Sequence, residues 1–267
     1  MGKERKLLAI DVDGTMLKSD GSISPRTLFC LSTLSEKGFL IVLSSGRPPR
    51  GILPFYKAIG LTTPIIAYNG GQILYPNNDG FESEKITFPK EEVVQIHAKA
   101  ASFLTSFQAE EEDNIYCESI DSKLDPYFSK EGMKVRAGRI EEILNEDLSS
   151  VVFGCAEKDY PSLESIVAPF APLSLRHWTG MSYSELYYPF ANKGTALAKI
   201  KTRLGIAKEN CFAFGDAIND EPMLLEAGHP FLMKNSKAEE LKKKFSLSLS
   251  SNDEDGLAIT LESLFGS

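Results

Sequence analysis

Residues 7–15 read Leu-Leu-Ala-Ile-Asp-Val-Asp-Gly-Thr, and this stretch is the most informative part of the chain. Its four apolar residues predict a short buried strand. Asp11 and Asp13 follow, on one face of an extended chain, and Gly14 lets the backbone turn sharply. Two neighbouring carboxylates repel one another unless a cation lies close. The pair therefore indicates a hard divalent metal such as magnesium, or covalent catalysis with one acid as nucleophile.

A helix cap is the competing interpretation of the same stretch. Asp13 or Thr15 could simply cap the helix that follows, and aspartates are common in turns. On these residues alone the two interpretations are about equally good, so other segments must decide between them.

The composition sets limits on the class of protein. The chain has 267 residues, 42% of them hydrophobic and 25% charged, which fits one large or two modest globular domains. Its net charge of -8 argues against broad binding to nucleic acid or to anionic membranes. The apolar runs are too short for a membrane span or a signal peptide, so we expect a cytoplasmic protein. The four cysteines form no CxxC pair, which argues against a zinc site.

Strand and helix patterns alternate in the first third of the chain. A helix is predicted from Ser24, its N-cap, to about Lys37, with Pro25 at the first helical position. An apolar strand over 39–43 follows. The pattern resumes near the C-terminus with a helix over 193–204 and a strand over 211–214. This order predicts an α/β fold with a parallel sheet.

The middle of the chain, about residues 82–189, breaks this alternation. It combines a long predicted helix, from Glu91 to about Phe107, with separate strands at 114–119, 151–156 and 183–187. We therefore expect an α+β insertion between the two halves of an α/β domain.

Three of the predicted core strands end in polar residues. In parallel sheets, ligands bind outside the carboxyl ends of the strands, so residues that are distant in sequence can meet in one crevice. Each motif alone has a plainer explanation as a cap, a turn or, for Lys193, a surface lysine, but their joint occurrence does not. The polar ends are Asp11 with Asp13, Ser45-Gly46-Arg47, and Asp216 with Asn219 and Asp220.

Together these motifs resemble those of the haloacid dehalogenase (HAD) superfamily, and within it the Cof-like phosphatases with a type IIB cap. The resemblance implies a Rossmann-like parallel-sheet core, residues 1–81 and 190–267, with an inserted α+β cap, residues 82–189. The main motifs stand in the family's order. The matching segments are DVDGT at 11–15, SGR at 45–47, NKGTAL at 192–197 and FGDAIND at 214–220, supported by AYNG at 67–70 and KNS at 234–236.

The resemblance also implies a role for each matching residue. Asp11 would be the nucleophile and a magnesium ligand. Asp13 would be the general acid/base, with its backbone carbonyl facing the metal. Asp216 would be a further metal ligand, with Asp220 as a ligand or a support beside it. The phosphate-binding residues would be Ser45, Lys193 and Asn219, and backbone N–H groups around Val12, Gly14 and Gly46 can donate to phosphate as well.

The implied activity is that of a Mg²⁺-dependent phosphatase that hydrolyses small phosphate monoesters, with sugar phosphates favoured, through an aspartyl-phosphate. A phosphomutase or phosphotransferase would form the same intermediate and stays open as an alternative. A non-catalytic phosphate-binding protein is disfavoured, because binding alone needs no second aspartate. The expected partner is a small phosphorylated metabolite. The oligomeric state is not determined by these patterns.

Substrate specificity is expected to lie in the cap. Arg176, His177 and Trp178 form a polar and aromatic segment that suits a polyol or a sugar. Packing within the cap is nevertheless the simpler explanation of His177 and Trp178.

Overall fold

The computed structural model describes residues 5–77, 80–124, 133–178 and 180–266, and the chain divides into two compact units. The first unit is Met1–Glu84 with Asn192–Ser267, and the second is Lys85–Ala191. The second unit is thus an insertion in the first, and it begins and ends a few residues later than the sequence pattern indicates.

The secondary structure alternates in the first unit and is mixed in the second. The strands are β1 Leu7–Asp11, β2 Leu40–Ser44, β3 Ile65–Ala67, β4 Gln72–Leu74, β5 Glu84–Lys85, β6 Leu104–Glu111, β7 Asn114–Cys117, β8 Lys134–Ala137, β9 Ser150–Cys155, β10 Ser174–His177, β11 Tyr183–Tyr187, β12 Cys211–Gly215, β13 His229–Leu232 and β14 Ser246–Leu247. The α-helices are α1 Pro25–Glu36, α2 Pro49–Ile59, α3 Lys90–Ala100, α4 Ile140–Ile143, α5 Tyr160–Val167, α6 Lys193–Leu204, α7 Glu221–Glu226, α8 Glu239–Lys242 and α9 Gly256–Phe265. Within the described ranges, none of these helices has both the length and the apolar character needed to cross a membrane.

The sheet of the first unit has the order β14-β13-β12-β1-β2-β3-β4-β5. Neighbouring strands from β14 to β3 are parallel, as predicted, and β4 turns back antiparallel to β3. Strand β1 lies between β12 and β2, with Ile10 opposite Phe214 and Asp11 opposite Ser44. The carboxyl ends of these three strands therefore lie side by side.

Strand β1 is apolar throughout because both faces of the sheet are covered. Leu8 and Ile10 belong to the hydrophobic cluster that includes residues of α1, α2 and α9. Leu7 and Ala9 belong to a second cluster that includes residues of α6 and α7. Asp11 is the only residue of the strand that belongs to neither cluster, so β1 ends in a charged side chain at its carboxyl end.

Local capping explains where the helices begin. The Ser24 hydroxyl accepts a hydrogen bond from the Thr27 amide at the start of α1, which confirms the predicted cap. At the start of α6, Asn192 and Thr195 form a reciprocal capping box. This box fixes the position of Lys193, the first residue of the helix.

The second unit has a separate sheet in the order β10-β11-β9-β6-β7-β8, with only β7 and β8 running parallel among the pairs described. The predicted helix from Glu91 to Phe107 is wrong in its second half, because α3 ends at Ala100 and β6 begins at Leu104. Phe107 and Ala109 pack into the cluster formed with α3 and α5. The hydrophobic period therefore changes from that of a helix to that of a strand within a few residues.

Gly194, in the first turn of α6, allows this helix to lie close to the start of α7. A Cβ at position 194 would be 2.4 Å from the carbonyl oxygen of Pro222. Gly194→Ala should lower the free energy of unfolding by about 1–3 kcal/mol, the usual cost of overpacking, although alanine is the better helix former. Urea denaturation measures the change.

Gly60→Ala is the comparison for this experiment. Gly60 has a φ of +78° and open space around the missing Cβ, so alanine there should cost about 1–2 kcal/mol through backbone strain alone. Gly194 is not among the glycines with positive φ, so a loss of stability there reports the clash instead. An unchanged free energy of unfolding for Gly194→Ala would contradict the close packing of α6 on α7.

Candidate active site

The centre of the candidate site is an ammonium group buried between two carboxylates. Lys193 Nζ lies 2.6 Å from Asp11 Oδ1 and 2.5 Å from Asp220 Oδ1. The lysine is 1% exposed and Asp11 4% exposed. Helix α6 supplies the lysine, β1 ends in Asp11, and Asp220 follows β12. One buried cation therefore joins three elements.

Asp220 is held by its own loop as well as by the lysine. Its Oδ2 accepts hydrogen bonds from the backbone amides of Asp216 and Ala217, both at 3.0 Å. A Cβ on Gly215 would lie 2.5 Å from the Cβ of Asp220, so only glycine permits this close approach. With both oxygens engaged, Asp220 is better placed to support a metal site than to be its main ligand.

Three carboxylates meet at this edge of the sheet. Oxygen atoms of Asp11, Asp216 and Asp220 lie within 4.8 Å of one another. Burial and the nearby charge of Asp220 raise the pKa of Asp11 well above its ordinary value, and the same causes raise the pKa of Asp216 to about 7. Burial by itself would lower the pKa of Lys193, but Asp11 and Asp220 together raise it.

The charge and the donor atoms of this group fit a divalent metal ion. Three carboxylates share one ammonium, so the cluster has an excess of negative charge that a cation would relieve. Its oxygen donors are those that Mg²⁺ prefers. Asp11 and Asp216 are the residues best placed to hold the ion.

Gly14 brings Asp216 against the end of β1. Gly14 has a φ of +73°, and a Cβ there would lie 2.5 Å from Asp216 Oδ2. The side-chain amide of Asn235 donates through Nδ2 to the Gly14 carbonyl at 2.9 Å and fixes the turn from the other side. The segment after β13, which contains the matching motif at 234–236, therefore helps to hold the turn at Gly14.

Asp13 has a different environment from Asp11. Its side chain is 54% exposed, and its two oxygens form a bidentate pair with Arg47, at 2.9 Å from Nε and 2.6 Å from Nη2. The Ser45 hydroxyl lies 3.5 Å from Asp13 Oδ2. The Asp13 carboxylate is not one of the three in the cluster, and the contact between its backbone carbonyl and a metal stays a prediction.

Arg47 was not predicted as a site residue, although it ends the Ser-Gly-Arg motif. Its Nη1 donates to the carbonyl of Gly51 at 3.3 Å, and its guanidinium lies 5.8 Å from the ring centroid of Phe55. Both partners belong to α2. The helix therefore anchors the arginine that holds Asp13.

The predicted phosphate-binding residues lie on the same edge of the sheet. Val12 begins the turn after β1, and Ser45 and Gly46 follow β2. Ser45 is buried, with its amide bonded to the carbonyl of Ile66 at 2.9 Å, whereas Gly46 is exposed. Asn219, in the loop after β12, donates through Nδ2 to Asn69 Oδ1 at 2.9 Å.

His177 is used inside the second unit. Its ring stacks on Tyr160 with centroids 3.9 Å apart. Its Nδ1 lies 2.7 Å from Ser184 Oγ and its Nε2 lies 3.0 Å from Glu164. Both ring nitrogens have protein partners, which favours the packing interpretation over a role in substrate binding.

Arg176 and Trp178 have partners that differ from those of His177. Arg176 is opposite Glu185 in the β10–β11 pair, at 3.4 Å from its carboxylate, and lies over the ring of Tyr187. Trp178 packs against Tyr183 with ring centroids 5.7 Å apart. Neighbouring side chains in a strand point to opposite faces of the sheet. Arg176 and His177 therefore lie on opposite faces and are not placed to contact the same ligand.

A cavity of about 540 Å³ lies in the second unit, and hydroxyl groups dominate its lining. The Tyr183 hydroxyl donates to Asp121 at 2.6 Å, and this bond helps to keep the pKa of the carboxyl below its ordinary value against the opposing effect of burial. The lining residues are Thr105, Ser106, Ser119, Ile120, Asp121, Ser122, Lys123, Gly180, Met181, Ser182 and Tyr183.

Comparison with known proteins agrees with this geometry. A family model described as haloacid dehalogenase-like hydrolase matches residues 8–261. The chain is 32% identical over 263 residues to 5-amino-6-(5-phospho-D-ribitylamino)uracil phosphatase of Bacillus subtilis, covering 97% of each protein. It is 25% identical over 235 residues to the HMP-PP phosphatase of Serratia proteamaculans, covering 86% of this chain and 84% of that protein.

Solved structures give the same result for the fold. A haloacid dehalogenase-like hydrolase from Bacteroides thetaiotaomicron matches with a TM-score of 0.85 and 26% identity, over 98% of this chain and 100% of that one. A HAD subclass IIB sugar phosphatase matches with a TM-score of 0.77 and 22% identity, over 98% of this chain and 99% of that one. The second likeness concerns the fold alone.

The crowded carboxylates make a prediction about stability. Saturating Mg²⁺ should raise the melting temperature, because an ion that binds only the folded state stabilises it. Asp216→Asn should abolish this rise, and it should also make the metal-free protein more stable because it removes one of the like charges. Differential scanning fluorimetry measures both effects.

Equal ionic strength from KCl is the control for general charge screening. A melting temperature that rises as much in Asp216→Asn as in the wild type would show that the ion binds elsewhere.

Proposed function

The chain belongs to the haloacid dehalogenase-like hydrolases, and from this premise we propose that it is a Mg²⁺-dependent phosphatase that hydrolyses small phosphate monoesters through an aspartyl-phosphate. The observation that carries the proposal is the unequal placement of two aspartates in one motif. Asp11 is buried beside Lys193, and Asp13 is more than half exposed beside Arg47. A carboxylate held by a buried ammonium, with a divalent metal close by, would stay charged and could attack phosphorus, whereas an exposed carboxyl can exchange a proton with the leaving group and with water.

The chemistry follows from these positions. The Asp11 carboxylate attacks phosphorus, the bond to the leaving oxygen breaks, and Asp13 gives a proton to the departing alcohol. In the second half, Asp13 takes a proton from water, which attacks phosphorus and releases phosphate and the free Asp11 carboxylate. Bound Mg²⁺ would supply positive charge for the transferring oxygens.

Lys193 can bind the substrate in addition to its two carboxylate partners. An ammonium group has three N–H donors, and Asp11 and Asp220 accept from it. A third donor in a water-poor site can bind a phosphate oxygen and stabilise charge in the transition state. The buried position of the lysine thus supports its assignment as a phosphate-binding residue.

We propose a phosphorylated polyol or sugar as the substrate class. The name of the Bacillus subtilis relative describes a substrate with a phosphorylated ribityl chain. The hydroxyl-rich cavity of the second unit offers donors and acceptors of the kind that bind a polyol. Arg176 and Trp178 supply a cation and an aromatic surface close in sequence to this lining.

Asp11→Asn tests the nucleophile. The amide keeps the shape of the side chain but loses its charge and its nucleophilicity, so kcat with p-nitrophenyl phosphate should fall by several orders of magnitude. Circular dichroism checks that the variant is folded. Asp20→Asn, at an exposed position in a nearby loop, is the matched control and should keep its activity.

In a parallel experiment, the wild-type protein acts on a sugar phosphate in ¹⁸O-labelled water. Label should enter the released phosphate, because water is the final acceptor. A folded Asp11→Asn protein with near wild-type turnover would refute the mechanism, and an isomerised sugar phosphate with little free phosphate would favour a mutase.

Arg176→Ala tests the substrate class. The ratio of kcat/KM values for polyol phosphates to that for p-nitrophenyl phosphate should fall, while the Mg²⁺ concentration for half-maximal activity stays constant. Lys193→Ala should weaken all substrates alike, since every substrate carries the phosphate. Equal losses on all substrates in Arg176→Ala would contradict the assignment.

A further inference from the structure

The turn that follows β3 has an unusual backbone. Tyr68, Asn69 and Gly70 are consecutive and all have positive φ, at 49°, 54° and 102°. Only glycine adopts this region freely; asparagine tolerates it, and for a bulky residue such as tyrosine it is a strained conformation. Strain of this kind persists where surrounding contacts determine the conformation.

The backbone of this turn is fastened to the loop after β2. The Tyr68 amide donates to the Arg47 carbonyl at 3.1 Å, and the Asn69 amide donates to the Ser45 carbonyl at 3.0 Å. These two carbonyls flank Gly46. On its other side the turn meets the start of α6, since a Cβ on Gly70 would lie 2.3 Å from the carbonyl carbon of Asn192.

The Asn69 side chain lies between the loops after β2 and β12. Its Oδ1 accepts the hydrogen bond from Asn219 Nδ2 at 2.9 Å. Its Nδ2 lies 3.1 Å from the position that a Cβ on Gly46 would occupy. Because β1 lies between β12 and β2, these loops do not belong to neighbouring strands. Asn69 spans that gap, because its backbone amide is bonded to Ser45 and its side chain to Asn219.

We propose that Asn69 is a positioning residue that orients the amide of Asn219 toward the phosphate of the substrate. The inference rests on the proposed function, because that function assigns Asn219 to the phosphate. The hydrogen bond uses one N–H of Asn219 and fixes the plane of its amide, which leaves the other N–H for the ligand. A donor that is already oriented loses less entropy when the ligand binds.

Asn69→Gly is the decisive variant, because glycine keeps the left-handed backbone and removes only the side chain. It should lower kcat/KM for p-nitrophenyl phosphate about tenfold, the effect of one lost hydrogen bond. Calorimetry with inorganic phosphate in the presence of Mg²⁺ should show a similar loss of affinity. In an Asn219→Ala background the same change should have no further effect.

Glu112→Gly is the matched control, since Glu112 also has a positive φ, 46°, and lies on the surface of the second unit. It should leave both measurements unchanged. Should Asn69→Gly fail to fold, Asn69→Ser, whose hydroxyl is too short to reach Asn219, should give the same loss.

Two results would overturn the inference. One is wild-type phosphate affinity and kcat/KM in Asn69→Gly. The other is that Asn69→Gly lowers kcat/KM by the same factor in the wild-type and Asn219→Ala backgrounds. The phosphate-binding measurement separates this inference from the proposed function. A wild-type protein that binds phosphate but hydrolyses no monoester would refute the function, while the calorimetry would still decide the role of Asn69.

Discussion

The ammonium of Lys193 between Asp11 and Asp220 is the contact on which the site depends. Charges buried this deeply are tolerated only when they are paired and hydrogen-bonded. The pairing holds the start of α6, the end of β1 and the loop after β12 in one place. Because Asp216 adds a third carboxylate, the pairing is incomplete, and this edge of the sheet has the electrostatic character of a cation site.

The excess of charge is confined to the buried side of the site. Asp13, only two residues from Asp11, is exposed and has Arg47 as its own partner. Only Val12 stands between the two aspartates, and the turn at Gly14, which follows Asp13, is held in place by the side-chain amide of Asn235. A single sequence motif thus supplies two carboxylates in different environments, as the proposed division between nucleophile and proton donor requires.

Local signals in the sequence predicted much of the core. The cap at Ser24, the bounds of α6 and the parallel strands depend on nearest neighbours or on strong hydrophobic runs, and they were predicted correctly. The strand over 104–111 was missed, because the hydrophobic period changes there without a glycine or a proline to mark the end of the helix.

The contacts that orient the site were not predictable in the same way. The pairs Arg47–Asp13 and Asn69–Asn219 join residues from different strand ends, and no local pattern specifies which side chains meet. All four residues stand in the matching sequence motifs, but the motifs do not show which side chains are in contact. Likewise, the register of β10 on β11 decides that Arg176 lies opposite Glu185 and His177 opposite Ser184.

The most direct test of the account is a crystal structure of the protein soaked in Mn²⁺, with anomalous differences recorded to locate the ion. Mn²⁺ accepts the same oxygen ligands as Mg²⁺. The account predicts one strong anomalous peak within bonding distance of carboxylate oxygens of Asp11 and Asp216, with Lys193 still paired to Asp220. A fully occupied Mn²⁺ site elsewhere, with no peak at this cluster, would contradict it.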